Sequence, residues 1–219
     1  MKKTIARNFN YLRLAAFLLL LICSRQSLAL NAPAALVPAG LNPGDTFYII
    51  FVSSGTITGD QVSANYLTFA TVQAAAGAAT GTDLVAGWVP LFAHNDGTIT
   101  INTAFAADVT RPIYDVAGLK MGDNKADLLD GTFDGELVKT QIGTTLGTII
   151  INTGLDAVGA SSTPLQSAGG LVNATQTTTT DNFGFYEGQA GSASAQPMMI
   201  LSPLLTVPSA VTASAGLGW

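Results

Sequence analysis

Thr46-Phe47-Tyr48-Ile49-Ile50-Phe51-Val52 is the stretch from which the rest of the chain is read. Seven β-branched and aromatic residues in succession, closed by Ser53-Ser54-Gly55, predict a buried strand. Downstream, Ser63 to Ala78 (SANYLTFATVQAAAGA) places Tyr66, Phe69, Val72 and Ala76 at helical spacing. This predicts an amphipathic helix facing its core through those four residues and ended by Gly77 or Gly81. Trp88 to Ala93 reads as a second strand, Thr98–Asn102 and Ile113–Val116 as short extended pieces, and Gly147–Asn152 as another buried strand. Met198 to Val207, interrupted by Pro203, reads as a closing strand. Ala160 to Asp181, rich in Ser, Thr, Gly and Ala, reads as a loose loop. One helix among short strands and long loops predicts a single compact α+β domain of mostly antiparallel strands over residues 46–208, with 209–219 as a flexible tail.

Upstream of the strand, residues 30–45 are Ala/Pro-rich and read as a linker. Before them, Lys2, Lys3, Arg7 and Arg13 precede the uncharged run Leu14–Cys23, and Ser27-Leu28-Ala29 follows. That order of charged, apolar and small residues is a secretory signal peptide over residues 1–29, cleaved after Ala29. Its apolar run is too short for the ~20 residues that span a bilayer, which argues against the alternative of an uncleaved anchor. Ile22 is too large for the position before a lipidated Cys23. The expected location is secreted or periplasmic.

Cleavage removes five of the nine basic residues and the only cysteine. Arg111, Lys120, Lys125 and Lys139 then stand against 14 acidic residues, a net charge of −10. Such a surface repels nucleic-acid phosphates and anionic lipid head groups, so neither nucleic acid nor membrane is an expected partner. The processed chain has no disulfide and no thiolate metal site, and its stability rests on its core.

Few residue patterns carry chemistry. His94 is the only histidine, and Ala93-His94-Asn95-Asp96-Gly97 reads as an exposed turn rather than part of a triad. There is no GxSxG, GxxxxGK or GxGxxG after a strand. The most acidic stretch, Asp115 to Glu136, offers Asp123, Asp127 and Asp130 as candidate calcium ligands, since calcium requires several oxygens in a small space. The spacing departs from an EF-hand loop: Lys125 stands at an oxygen-ligand position and Leu128 where glycine is required. The competing reading is a solvated loop whose Asp residues cap turns and a short helix. No pair of carboxylates is singled out for glycoside hydrolysis. Most aromatics fall at strand or helix positions suited to core packing; Tyr186 and Trp219 are the candidates for exposed stacking.

Several blocks resemble exported bacterial proteins of PEP-CTERM type. Phe51-Val52-Ser53-Ser54-Gly55-Thr56, the helix from Ser63-Ala64-Asn65-Tyr66, and Gly87-Trp88-Val89-Pro90-Leu91 succeed one another as in that family. Arg111 to Gly118 resembles its "P-I-Y-N-L-A-G", Asn124 to Thr132 its "N-A-D-L-W-D-G", and Asn152 to Gly159 more weakly its "W-T-G-T-N-A-D-G". Leu201 to Pro208 resembles the last strand before the family's sorting tail. The pattern is similar in turn to endostatin-like domains, and implies a C-type-lectin-like fold without implying an enzyme. Leu129 replaces the usual tryptophan of the central motif, Ile150 or Ile151 stands where the "W-T-G" tryptophan would be, and Val207-Pro208-Ser209-Ala210 lacks the expected "P-E-P".

The resulting expectation is an exported non-enzymatic domain of the bacterial envelope or extracellular matrix, binding or structural, with an extracellular glycan or envelope protein as partner. The alternatives are a secreted carboxylate-dependent hydrolase acting through Asp115–Glu136 and a self-assembling surface component.

Overall fold

A computed structural model describes residues 29–130, 133–137, 139–145, 149–156, 160–165, 171–176 and 188–209, with residues 171–176 and 188–190 described through their backbone. Strands β1 (Leu30–Asn31), β2 (Thr46–Val52), β3 (Ile57–Thr58) and β4 (Val89–Pro90) lie before the middle of the chain. They are followed by β5 (Ile113–Asp115), β6 (Lys120–Gly122), β7 (Ile150–Asn152), β8 (Leu171–Gln176) and β9 (Gly188–Gly191). The last three are β10 (Ala195–Gln196), β11 (Met199–Leu201) and β12 (Leu205–Thr206). Helix α1 (Ser63–Ala75) is joined by two single-turn helices, α2 (Ile101–Ala104) and α3 (Lys125–Leu128). The architecture is α+β, as the sequence predicts.

The quoted stretch is the central strand of a seven-stranded sheet. One edge of β2 carries β5 in parallel; the other carries β12 against Thr46–Phe47 and β11 against Ile50–Val52, both antiparallel. A single partner cannot run the full edge because Pro203 has no N–H to give. Ser202 fills the break: its N–H donates to the Ile49 carbonyl (2.8 Å) and its hydroxyl accepts from the Ile49 N–H (2.9 Å). The side-chain period of two then divides the core. Phe47, Ile49 and Phe51 face a layer containing Tyr66, Ala70, Ala74, Trp88 and Phe92. Tyr48, Ile50 and Val52 face a second layer of Phe105, Ile113, Met121, Leu128 and Ile151.

Helix α1 forms where expected and turns Tyr66 and Phe69 to the core as predicted, but Ala70 and Ala74 rather than Val72 and Ala76 complete the inward face. Tyr66, Ala70 and Ala74 are buried; Phe69 is half-buried and Val72 is exposed. The bulk in this layer comes from the sheet side, as Phe51 against Trp88 with ring centroids 5.0 Å apart, so alanines are what fit beneath the helix. The Tyr66 hydroxyl donates to the Thr58 carbonyl (3.0 Å) and accepts from the Gln61 N–H (3.2 Å), and its burial pushes its pKa up to about 12.

Three further expectations are corrected. Residues 30–45 are part of the fold rather than a linker: β1 pairs in parallel with β12, the Leu30 N–H donates to the Leu204 carbonyl (2.9 Å), and Ala32 and Leu36 are buried. Small apolar residues can extend an existing sheet edge even where they could not build a core of their own, and edge positions tolerate proline. Thr98–Asn102 does not extend; Thr100 caps α2 reciprocally with Thr103, its hydroxyl accepting the Thr103 N–H (3.1 Å). Within Ala160–Asp181, residues 171–176 form β8, the middle strand of the sheet β7–β8–β9.

Candidate functional site

The acidic segment is laid out by β5, β6 and α3. Asp115 ends β5 and is buried; its Oδ1 accepts the N–H groups of Ala117 and Leu119, both at 2.8 Å, closing the turn into β6. Asn124 caps α3, its side chain accepting the Ala126 and Asp127 N–H groups at 2.8 and 3.1 Å. The chain then returns, and the Asp134 N–H donates to the Met121 carbonyl (3.1 Å) beside β6.

This route gathers Asp123, Asp127 and Asp134, with one carboxylate oxygen of each within 4.8 Å of the others. Asp130 is outside that group: α3 has ended, and Asp134 takes the place that chain spacing assigns to Asp130. Lys120 supplies the countercharge. Its Nζ lies 2.6 Å from Asp123 Oδ1 and 3.3 Å from Asp134 Oδ2, and these hydrogen bonds raise its pKa. Asp127 Oδ2 accepts the Asp123 N–H (2.7 Å). A cation bound by the three carboxylates has to compete with that ammonium, so equal melting temperatures are expected with calcium and with a chelator. An upward shift in calcium would assign the countercharge to an ion instead, because a ligand selective for the folded state stabilises it.

Burial raises the Asp115 pKa, opposed by the N–H groups of Leu119 and Ala117 and by the field of Lys139. A raised folded-state value means that the native protein holds this proton more tightly than the unfolded chain does. The contribution to stability therefore grows as pH falls from neutrality into the carboxylate range. Asp115→Asn keeps the acceptor oxygen and removes the titration. Its melting temperature relative to wild type is expected to be highest at neutral pH and to decline on acidification. Asp115→Ala leaves two N–H groups without their acceptor and is expected to cost about 2–3 kcal/mol in chemical denaturation.

His94 is buried, in contrast to the exposed turn expected of it. Its Nε2 donates to the Gln61 carbonyl (3.0 Å), its Nδ1 faces Asp96 Oδ1 (2.8 Å), and its ring packs against Tyr66 and Phe92. One ring nitrogen is thus engaged by a backbone carbonyl and the other by Asp96. Hydrogen bonds, chiefly from the Thr98 N–H, hold the Asp96 carboxyl well below the usual range.

No family model matches the chain, and no curated protein matches it.

Among the described aromatics, Tyr48, Tyr66, Trp88 and Phe133 are core residues, and Trp88 Nε1 donates to the Thr82 carbonyl (3.1 Å). Tyr186 and Trp219 lie outside the described residues. A polar hub that the sequence does not announce is centred on Gln141, fully buried. Its Oε1 accepts the Ser54 N–H (3.0 Å), and its Nε2 donates to Ser54 Oγ (2.7 Å) and Gln73 Oε1 (3.0 Å). Through Gln141, 87 residues beyond Ser54 in the chain, the hub ties the turn after β2 to α1. No helix of the described residues is long and apolar enough to cross a membrane.

Proposed function

We propose that this protein is an exported, non-enzymatic binding or structural domain of the bacterial envelope or extracellular matrix, with a C-type-lectin-like arrangement of its α+β elements. The observation that carries this reading is the disposition of the acidic segment. Asp115 is consumed by a turn, and Asp123 and Asp134 close on Lys120 at the surface. Glycoside hydrolysis by a carboxylate pair requires two carboxyl groups facing each other across a substrate, with room for that substrate between them. Here the carboxylates are drawn together around an ammonium. The blocks that resemble the PEP-CTERM-type pattern supply the scaffold: Phe51-Val52 ends β2, Ile113–Asp115 is β5, and Asn124–Leu128 forms α3 with its cap.

A glycan-array screen with the exported protein, followed by incubation with any glycan bound, tests the reading. Retention of an intact glycan is expected. Release of new reducing ends, lost on Asp123→Asn or Asp134→Asn, would replace it with the hydrolase reading. Export is checked by the N-terminal sequence of the secreted protein, expected to begin at Leu30; a retained Met1 would remove the export step.

A further inference from the structure

A groove of about 380 Å³ opens where α2 and α3 meet the segment after β7. Its floor is aliphatic: Ile101 and Leu155 are buried and Leu129 is half-buried. Lys125 and Asn102 form its polar wall, the Lys125 ammonium donating to Asn102 Oδ1.

Of the other three basic residues in the processed chain, two are ion-paired. Arg111 Nε sits 2.7 Å from Asp108, and Lys120 is held by Asp123 and Asp134. Lys139 donates to Thr145 Oγ1 (2.6 Å) and acts electrostatically on buried Asp115. Lys125 has a neutral amide for its partner and no carboxylate within ion-pair distance among the described residues. Its ammonium is thus not ion-paired among the described residues, in a chain that is otherwise strongly acidic. With Oδ1 occupied by Lys125, the Asn102 amide retains its NH₂ as a donor. An ammonium and an amide NH₂ side by side match the two oxygens of a carboxylate, and charge-assisted bonds of this kind are the strong ones. The aliphatic floor selects an apolar body on the ligand, and the volume is at the small end of ligand sites, suited to a body of a few carbons.

We propose that this groove binds a small aliphatic carboxylate through Lys125 and Asn102. The same chemistry is offered by a free short-chain fatty acid and by the C-terminus of a peptide ending in an aliphatic residue. A neutral sugar would leave the ammonium unanswered, and inorganic phosphate would leave the floor uncovered. The inference rests on the binding reading above and adds to it a ligand class distinct from the neutral glycan.

Calorimetric titration of the exported protein with hexanoate, N-acetyl-leucine and N-acetyl-leucinamide tests it. At least one of the two carboxylates is expected to bind, with affinity falling as salt rises. N-acetyl-leucinamide is expected to bind about tenfold or more weakly than N-acetyl-leucine, as loss of one charge-assisted contact implies. Preference for hexanoate identifies a free acid as the source; preference for N-acetyl-leucine identifies a peptide terminus. Lys125→Met is expected to lower affinity by a similar factor and Lys125→Arg to retain it. Ser161→Glu, an exposed position on the rim, is expected to abolish binding by like-charge repulsion without touching α3, so the outcome does not depend on the folding of the lysine variant. Equal affinity for the acid and the amide, unchanged binding in Ser161→Glu, or no binding by any probe would overturn the site. A positive glycan screen alongside such a failure would leave the binding reading intact, which separates the two.

Discussion

Gly77→Ala is expected to destabilise the protein by about 3 kcal/mol, the upper end of the usual overpacking range and a large part of the 5–15 kcal/mol typical of a domain. Gly77 is buried just beyond the C-terminus of α1. A Cβ built there would stand 1.6 Å from Thr82 Oγ1 and 2.7 Å from the Gln141 carbonyl oxygen. Neither neighbour is free to move. The Thr82 hydroxyl donates to the Ala74 carbonyl (2.9 Å), satisfying one of the groups that the end of α1 leaves unpaired. The Gln141 carbonyl accepts from Thr80 Oγ1, in the residue whose side chain anchors the turn after β2. Alanine therefore has to break a helix cap or displace a hub. At 2–4 °C per kcal/mol for a chain of this size, the melting temperature should fall by about 10 °C. Thr82→Ala removes the closer clash, so the double variant is expected to lose less than the sum of the single losses. A Gly77→Ala protein that melts with wild type would show that the loop from Gly77 to Thr82 does not pack as described.

How far the sequence discloses this structure depends on the range of the interactions involved. The central strand is legible because seven residues with β preference, stopped by Ser53-Ser54-Gly55, leave no competing local structure. The break in the closing strand is legible because Pro203 cannot donate to a ladder, although Ser202 standing in for the missing bond is visible only in three dimensions. The inward face of α1 is read correctly at Tyr66 and Phe69 and misread at Val72 and Ala76, because periodicity ranks residues by size and hydropathy. The helix instead presents Ala70 and Ala74 to a sheet that already supplies the bulk. His94 is misread because Asn95-Asp96-Gly97 describes its backbone correctly but says nothing of Gln61, the partner 33 residues away toward which the ring turns. The acidic cluster is half legible. Asp123 and Asp127 are brought together by the local turn into α3, whereas Asp134 arrives through a bond to Met121 on β6, which no spacing rule encodes.

The second large effect is expected at Phe51, and it tests the division of the core into two layers. Phe51→Ala should cost about 3–5 kcal/mol, the range for truncating a fully buried aromatic. Its ring packs against Trp88, and its strand neighbours Phe47 and Ile49 share the same face, so no adjacent side chain is positioned to refill the void. Ile50→Ala, on the opposite face, should cost about 2–4 kcal/mol by emptying part of the layer around Phe105 and Met121. The two residues adjoin in β2 while their side chains point into separate clusters, so any departure of the double variant from the sum of the two losses reports coupling carried by the shared backbone rather than by side-chain contact. Strong coupling between them would mean that the layers communicate through the sheet. Val72→Ala provides the counterweight: the helical spacing of the sequence makes Val72 a core residue, while the structure leaves it 57% exposed. Its replacement should change stability by no more than about 0.5 kcal/mol, as for surface positions generally. A loss of 1 kcal/mol or more, the range of a buried methyl group rather than a surface one, would restore the helical face read from the sequence and displace the alanine-lined packing of α1 against the sheet.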